Sequence, residues 1–501
     1  MKSLLFIVVF SCLVIFVTCQ TTEDEIPPEP ISIVSIGDSL TMGTQDAGIV
    51  IDSQHNNYPY LIAKQLGIQN EFQQPYVASP GIGVPPYERP LEISNNQIIA
   101  VEWPDNNEDG IPDVDPNVII SRLSNAFYLY PYNNLGVDGA RLYDMRSTTK
   151  ASDSQTGDNF FFDIVLRNDT PHPFIDFGGT TVVEQAKMLN PEVILLWIGS
   201  NDILHTVLDG CGIDGSGFIG DDPPTNPVDF DTEYNNLLTD LKTITDKIVM
   251  ANIPSYLPYG YALDGVFVAD DNFPSGRLMI FNTETFEPIQ FDITGFGMRY
   301  IPLLLEEEDA EHLLLTGAIA FLEGMGIPNQ SDLQTMGIDA AEASGMISAM
   351  AAAGITPPDP TSVLTGNFTV TQTEEDTVLN IIEQYNAIIF DLSIQHGIYL
   401  VDIVTSWWSD EISTPFGGYS GAYPIQDEAN TAFSLDGVHP NNLGHALCAN
   451  AFIKVLNQYY QLAIPELDPE DYKGQYYNKS IESSSIKAIK GIQQMYVPKK
   501  K

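Results

Sequence analysis

The chain has 501 residues, of which 44% are hydrophobic and 18% charged, a balance that suits a globular protein with a real core. Against 67 Asp plus Glu stand 21 Lys plus Arg, a formal charge of −46, and a surface of that sign repels phosphate backbones and excludes nucleic acid as an expected partner. Beyond Cys19 only Cys211 and Cys448 remain, too few for a disulfide framework; pairing between these two stays open.

In chain order, Met1-Lys2 gives a positive start, and Ser3 to Val17 is an apolar run too short to favour a membrane-spanning helix. Residues 1–18 read as a signal peptide. Two readings of the following Cys19 stay open. In one it is the lipid-bearing first residue of a lipoprotein, although Phe16 and Thr18 make the lipobox loose. The acidic run Glu23-Asp24-Glu25 then resembles surface-export signals of Bacteroidetes lipoproteins. In the other, cleavage near Cys19 or Gln20 releases the chain. Both readings export it: to the outer membrane or cell surface in the first, to the periplasm or medium in the second. Membrane contact is expected only through the N-terminal lipid. Residues 19–30 are acidic and Pro-rich and read as a tether.

Apolar runs of strand length follow at Ile31–Ile36, Val193–Ile198, Lys247–Ile253 and Ile398–Val404. Helical patterns lie between them at Tyr58–Leu66, Thr181–Leu189, Thr232–Thr245 and Thr373–His396, and a last helix runs from about Asn441 to Leu462. Continuous apolar strands alternating with amphipathic helices predict a parallel sheet covered on both faces. Two segments break the rhythm, residues 70–130 and 258–365, and both read as insertions into one catalytic domain. That domain spans 31–257 and 366–465. The second insertion is a candidate helical cap, rich in Met and Ala. Residues 466–501 lose the apolar pattern and read as a C-terminal surface extension.

Gly37-Asp-Ser39 ends the first strand, where open parallel sheets gather functional groups. Ser39 is a nucleophile only with a base beside it. Among seven histidines, His439 stands out, three residues after Asp436 with Gly437 allowing a tight turn. That spacing folds the carboxylate onto its own imidazole, fixing its tautomer and stabilising the imidazolium. His55, His172, His312 and His396 have no acid in a telling register, His445 reads as a packed or solvated helix residue, and His205 is a minor candidate. Asn201, in Gly199-Ser-Asn-Asp202, follows a strand and offers a side-chain N–H donor. Gly139 offers a backbone N–H with no side chain in the way.

Gly37-Asp-Ser-Leu40, the Gly139 block, Gly199-Ser-Asn-Asp202 and Asp436-Gly-Val-His439 occur in the order of the GDSL-type hydrolases of the SGNH superfamily, which the chain resembles over residues 31–257 and 366–462. The resemblance implies a flavodoxin-like three-layer α/β/α fold with a parallel central sheet. It implies hydrolysis of carboxylic esters with Ser39 as nucleophile, His439 as base and Asp436 orienting it. The Ser39 N–H, Gly139 and Asn201 would form the oxyanion hole, and no cofactor is expected in catalysis. The substrate stays open among a lipid ester, an acylated (acetylated) glycan and a small ester. The rival of another class is a catalytically silent surface binding protein.

One motif lies outside that resemblance. Asp105, Asn107, Asp109, the Ile111 carbonyl and Asp113 have the spacing of a calcium loop up to its ninth position, with Gly110 sixth. Pro116 stands where the bidentate acid is expected. A structural Ca2+ is the expectation; an acidic surface turn is the plain alternative.

Overall fold

The computed structural model describes residues 31–474, apart from 95–96, 108–112, 169–176, 209–212, 215–216, 219–222, 255–266, 271–272, 283–287, 308, 315–319, 322–323 and 404–429. The signal peptide, the tether, Cys19, His172 and Cys211 therefore lie outside the described residues.

Five strands form one parallel sheet: β1 (Ile33–Gly37), β2 (Asn134–Gly136), β3 (Val193–Trp197), β4 (Lys247–Ala251) and β5 (Tyr399–Val401). Across the sheet they run β5-β4-β3-β1-β2. The helices that matter here are α1 (Ser39–Met42), α2 (Tyr58–Gln65), α3 (Val182–Leu189), α4 (Asn201–Leu208), α5 (Pro227–Lys242), α6 (Ala340–Ala352), α7 (Gln372–His396) and α8 (Asn442–Tyr460). Four of the strands and five of the helices match the sequence expectation within a few residues. The short β2, Asn-Leu-Gly, carries too little pattern to be read from sequence.

Alternation along the strands builds two cores. Val34, Ile36, Ile194, Leu196, Ile248 and Met250 face one side, under α3, α5 and α7. Ile33, Leu195, Trp197, Val249 and Val401 face the other, under α2 and α8. Both faces are buried, which is why the strands read as unbroken apolar runs. Local signals end the helices where they do. Thr181 and Thr371 make capping boxes with Glu184 and Glu374, and Gly397 closes α7 in the left-handed region.

The insertions differ from the expectation. Residues 276–368 are not a purely helical cap. Their antiparallel ladders pair Gln290–Ile293 with Gly297–Tyr300, and Ala310–Leu313 with Thr369–Thr371 at the start of the returning chain. Helices Gln330–Thr335 and α6 complete the unit. Met346 and Met350 are spent on its own core, beside Phe291, Ile293 and Leu333. The tail differs as well: Leu467 and Tyr472 are buried, and the Asn450 side chain holds Leu467 by both its N–H (2.8 Å) and its C=O (3.0 Å). Residues 466–472 thus belong to the fold rather than to a surface extension.

Candidate active site

The register of the sheet sets the site. Gly37 pairs with Gly136 of β2 and with Trp197 of β3. Ser39, Gly139 and Asn201 follow these three aligned residues by two, three and four positions, so all three stand at the carboxyl edge of adjacent strands. Ser39 opens α1, where a backbone N–H has no intrahelical acceptor. The Asp38 carboxylate caps that turn by accepting the Leu40 N–H at 3.0 Å. Gly37 is required here, because a Cβ would lie 2.1 Å from the Trp197 carbonyl.

Gly139 has φ +68°, a conformation that favours glycine. Its peptide is fixed from behind: Asn159 Nδ2 donates to the Asp138 carbonyl at 2.6 Å, which turns the Gly139 N–H of the same trans peptide the opposite way. Asn201 Nδ2 donates to the Ala140 carbonyl at 3.0 Å. One amide hydrogen is thereby used and the other remains for an incoming oxygen. Asp202 ties the same two loops again by accepting the Leu142 N–H (3.0 Å), and its other oxygen accepts the Thr225 hydroxyl (2.7 Å) from the segment leading into α5.

The fourth block arrives on a tight loop. Gly437 has φ +70°, and the Ser434 N–H donates to the His439 carbonyl at 2.9 Å. His439 Nδ1 meets Asp436 Oδ2 at 2.9 Å. The other oxygen, Oδ1, accepts the Val438 (2.9 Å) and His439 (2.8 Å) backbone N–H groups. Asp436 has no exposed surface and His439 keeps 9%. That is the arrangement in which an acid orients an imidazole with its far nitrogen available.

Acids surround this imidazole. Asp38, Asp46, Asp138 and Asp436 are all buried and act on it electrostatically, and Asp202 on the neighbouring loop is buried as well. Burial pushes Asp38 up to about 7 and Asp202 up to about 6, and it raises Asp138, whose carboxylate also accepts the Thr44 hydroxyl. Burial opposes ionisation of Asp436 too, but its bonds to His439 and two backbone N–H groups outweigh that and hold it near 2. For His439, burial disfavours the cation. Asp436, with Asp138 and Asp38 behind it, overcomes this and raises the imidazole to about 9. This lies above the 6–7 expected of an ordinary histidine base.

Other candidates settle into structural places. His55 packs on Tyr60 and Tyr76, His312 pairs with Glu375 at 2.9 Å, and His396 bonds Asn235 at 2.8 Å. His205 lies on α4. His445 is fully buried on α8, and burial pushes it down to about 3. Cys448 is buried and free. In the calcium-type loop, Asp113 Oδ2 accepts the Asn106 N–H at 2.7 Å, while Asp109 and Ile111 lie outside the described residues. Among the described residues, no group of three or more His, Cys, Asp or Glu is placed to hold a metal ion.

A cavity of about 500 Å3 adjoins the Gly139 and Asn201 loops, lined by Arg141, Tyr143, Asp202, Asp229 and Glu233 among others. Sequence reasoning missed Asn159, Asp138 and Thr44, whose value comes from contacts across 21 and 94 positions of chain. The chain matches no family model, no curated protein and no solved structure.

Proposed function

We propose that this chain is an exported serine esterase of the GDSL/SGNH type. The observation that supports it most is the bonded Asp436–His439 pair, joined to the sheet edge where register gathers Ser39, Gly139 and Asn201. The strand order, numbered along the chain, is 2-1-3-4-5, that of flavodoxin-like doubly wound sheets, and it supports the finer fold reading.

In the proposed reaction His439 Nε2 takes the Ser39 proton as Oγ attacks the ester carbonyl carbon. Asp436 stabilises the imidazolium that results. The carbonyl oxygen becomes an oxyanion facing the N–H groups of Ser39, Gly139 and Asn201. His439 returns the proton to the departing alcohol, and water attacking the acyl-serine repeats the sequence to release the acid.

A second, narrower reading is an acylated glycan or small polar ester: the cavity behind the Asp202 side of the Asn201 loop is lined by Arg141, Asp229 and Glu233, which would suit a hydrophilic substituent, while Ser39, Gly139, Asn201 and His439 are not among its lining residues. The test is a 4-nitrophenyl ester series from acetate to palmitate, run beside acetylated xylan on wild type and Ser39→Ala. Turnover that requires Ser39 and falls with chain length supports both readings. No turnover of any ester favours a silent binding protein. The acidic loop from Asp105 to Asp113 is proposed to hold a structural Ca2+, with no part in the chemistry.

A further inference from the structure

We propose that Asp46 is a positioning residue for the Asp436–His439 pair, acting through a buried left-handed corner that both insertions hold in place; this rests on the esterase reading of the site.

Asp46 and Ala47 are consecutive non-glycine residues with φ of +53° and +57°. Both are buried. Side-chain-bearing residues hold this conformation only where their surroundings enforce it, and here the enforcement is visible on every side. From the first insertion, the Leu91 N–H donates to the Asp46 carbonyl (2.7 Å) and the Val84 N–H to the Ala47 carbonyl (2.8 Å). Gln45 and Gly48 bond each other across the turn at 2.9 and 3.1 Å. From the second insertion comes a shared core: Ala47 and Leu435 pack in one cluster with Leu303 and Phe321.

The corner then reaches the catalytic loop by three bonds. The Asp46 N–H donates to Ser434 Oγ at 3.0 Å, and Asp46 Oδ1 accepts the Leu435 N–H at 2.8 Å. The Ala47 N–H donates to Asp436 Oδ2 at 2.8 Å, the same oxygen that meets His439 Nδ1. Only the left-handed corner carries the Ala47 N–H to that oxygen. Were the corner to relax, Asp436 would lose a donor and the freedom of its carboxylate would grow. His439 is also faced by Asp38 after β1, Asp138 after β2 and His445 from α8, and Asp46 itself interacts with it electrostatically. Geometry and charge therefore have to be separated.

Two variants do so. Asp46→Asn keeps an oxygen for the Leu435 N–H and removes the charge; Asp46→Ala removes both. The expected result is that Asp46→Asn stays within about threefold of wild type, while Asp46→Ala loses about 10–100-fold in kcat at unchanged KM. In the same samples, the NMR titration of His439 should move to lower pH in Asp46→Ala and not in Asp46→Asn. If Asp46→Ala does not fold, Ser434→Ala, which removes the acceptor for the Asp46 N–H, should show the same directions at smaller size. Wild-type kcat and titration in a folded Asp46→Ala, or in Ser434→Ala where that variant stands in for it, would overturn the proposal. So would equal losses in Asp46→Asn and Asp46→Ala, which would assign the effect to charge. The titration needs no turnover, so a chain without esterase activity can still show or refute the coupling.

Discussion

The sheet and the unit formed by residues 276–368 are built on opposite principles. In the sheet, five strands lie in one register, two apolar faces are covered by long capped helices, and the loops leave from one edge. The second unit has two-stranded ladders of three or four residues, helices of 6 and 13 residues and one core gathered from distant segments. A parallel sheet aligns the ends of strands that are far apart in sequence, so it can assemble a nucleophile, two oxyanion donors and their ties without any local motif being strong. Among its described residues the second unit shows no such gathering of polar groups. Its core extends to Ala47 and Leu435, so its contribution is to hold the chain on either side of the site.

The largest expected effect would break that comparison if it failed. Ser39→Ala and His439→Ala should each lose about 10⁴–10⁶-fold in kcat, since the members of such a unit act together. Steady-state assay of a short ester checks this, and a small loss in either would move the chemistry away from the sheet edge. Next, Asn201→Ala should lose about 10²–10³-fold in kcat with KM nearly unchanged, as for one oxyanion donor. A loss confined to KM would make Asn201 a substrate-binding residue instead.

Acidity sharpens the contrast further. His439 must be neutral to accept the serine proton, and its position near 9 means that kcat/KM should rise about tenfold per pH unit up to that value and level off above it. Stability should run the other way. Asp38, Asp46 and His439 all hold their protons more tightly folded than unfolded. The folded state therefore binds more protons through this range, and Tm should fall as pH rises from about 5 to 9. Activity that is flat from pH 6 to 9, or a Tm that climbs over that range, would contradict this account of the buried acids. The smallest effect concerns the first insertion: chelation should lower Tm by roughly 2–5 °C and leave turnover at the lower temperature unchanged. Calorimetric titration showing no calcium binding at millimolar concentration would remove the ion.

How legible these regions were in sequence follows from the same contrast. β1, β3 and β4 were readable because burial on both faces makes them continuous apolar runs, and α7 because its capping box and closing glycine bracket an amphipathic pattern. Asp436 and His439 were readable because three residues separate them. β2 was not, since Asn-Leu-Gly becomes a strand only by pairing with β1. Nor was Asp46: its importance lies in bonds to Ser434, Leu435 and, through Ala47, Asp436, some 388 positions away, and nothing local marks a left-handed corner without glycine. The hairpin at Gln290 and the ladder between Ala310–Leu313 and Thr369–Thr371 were missed because strands of three or four residues carry no usable period.

The claim that Ser39 is the nucleophile at this edge can be put to one measurement. Wild type treated with a fluorophosphonate, then digested and mapped by mass spectrometry, should carry one phosphonyl group on the peptide containing Ser39, with His439→Ala labelled far more slowly. Label at another residue, or equal labelling of wild type and Ser39→Ala, would contradict the account.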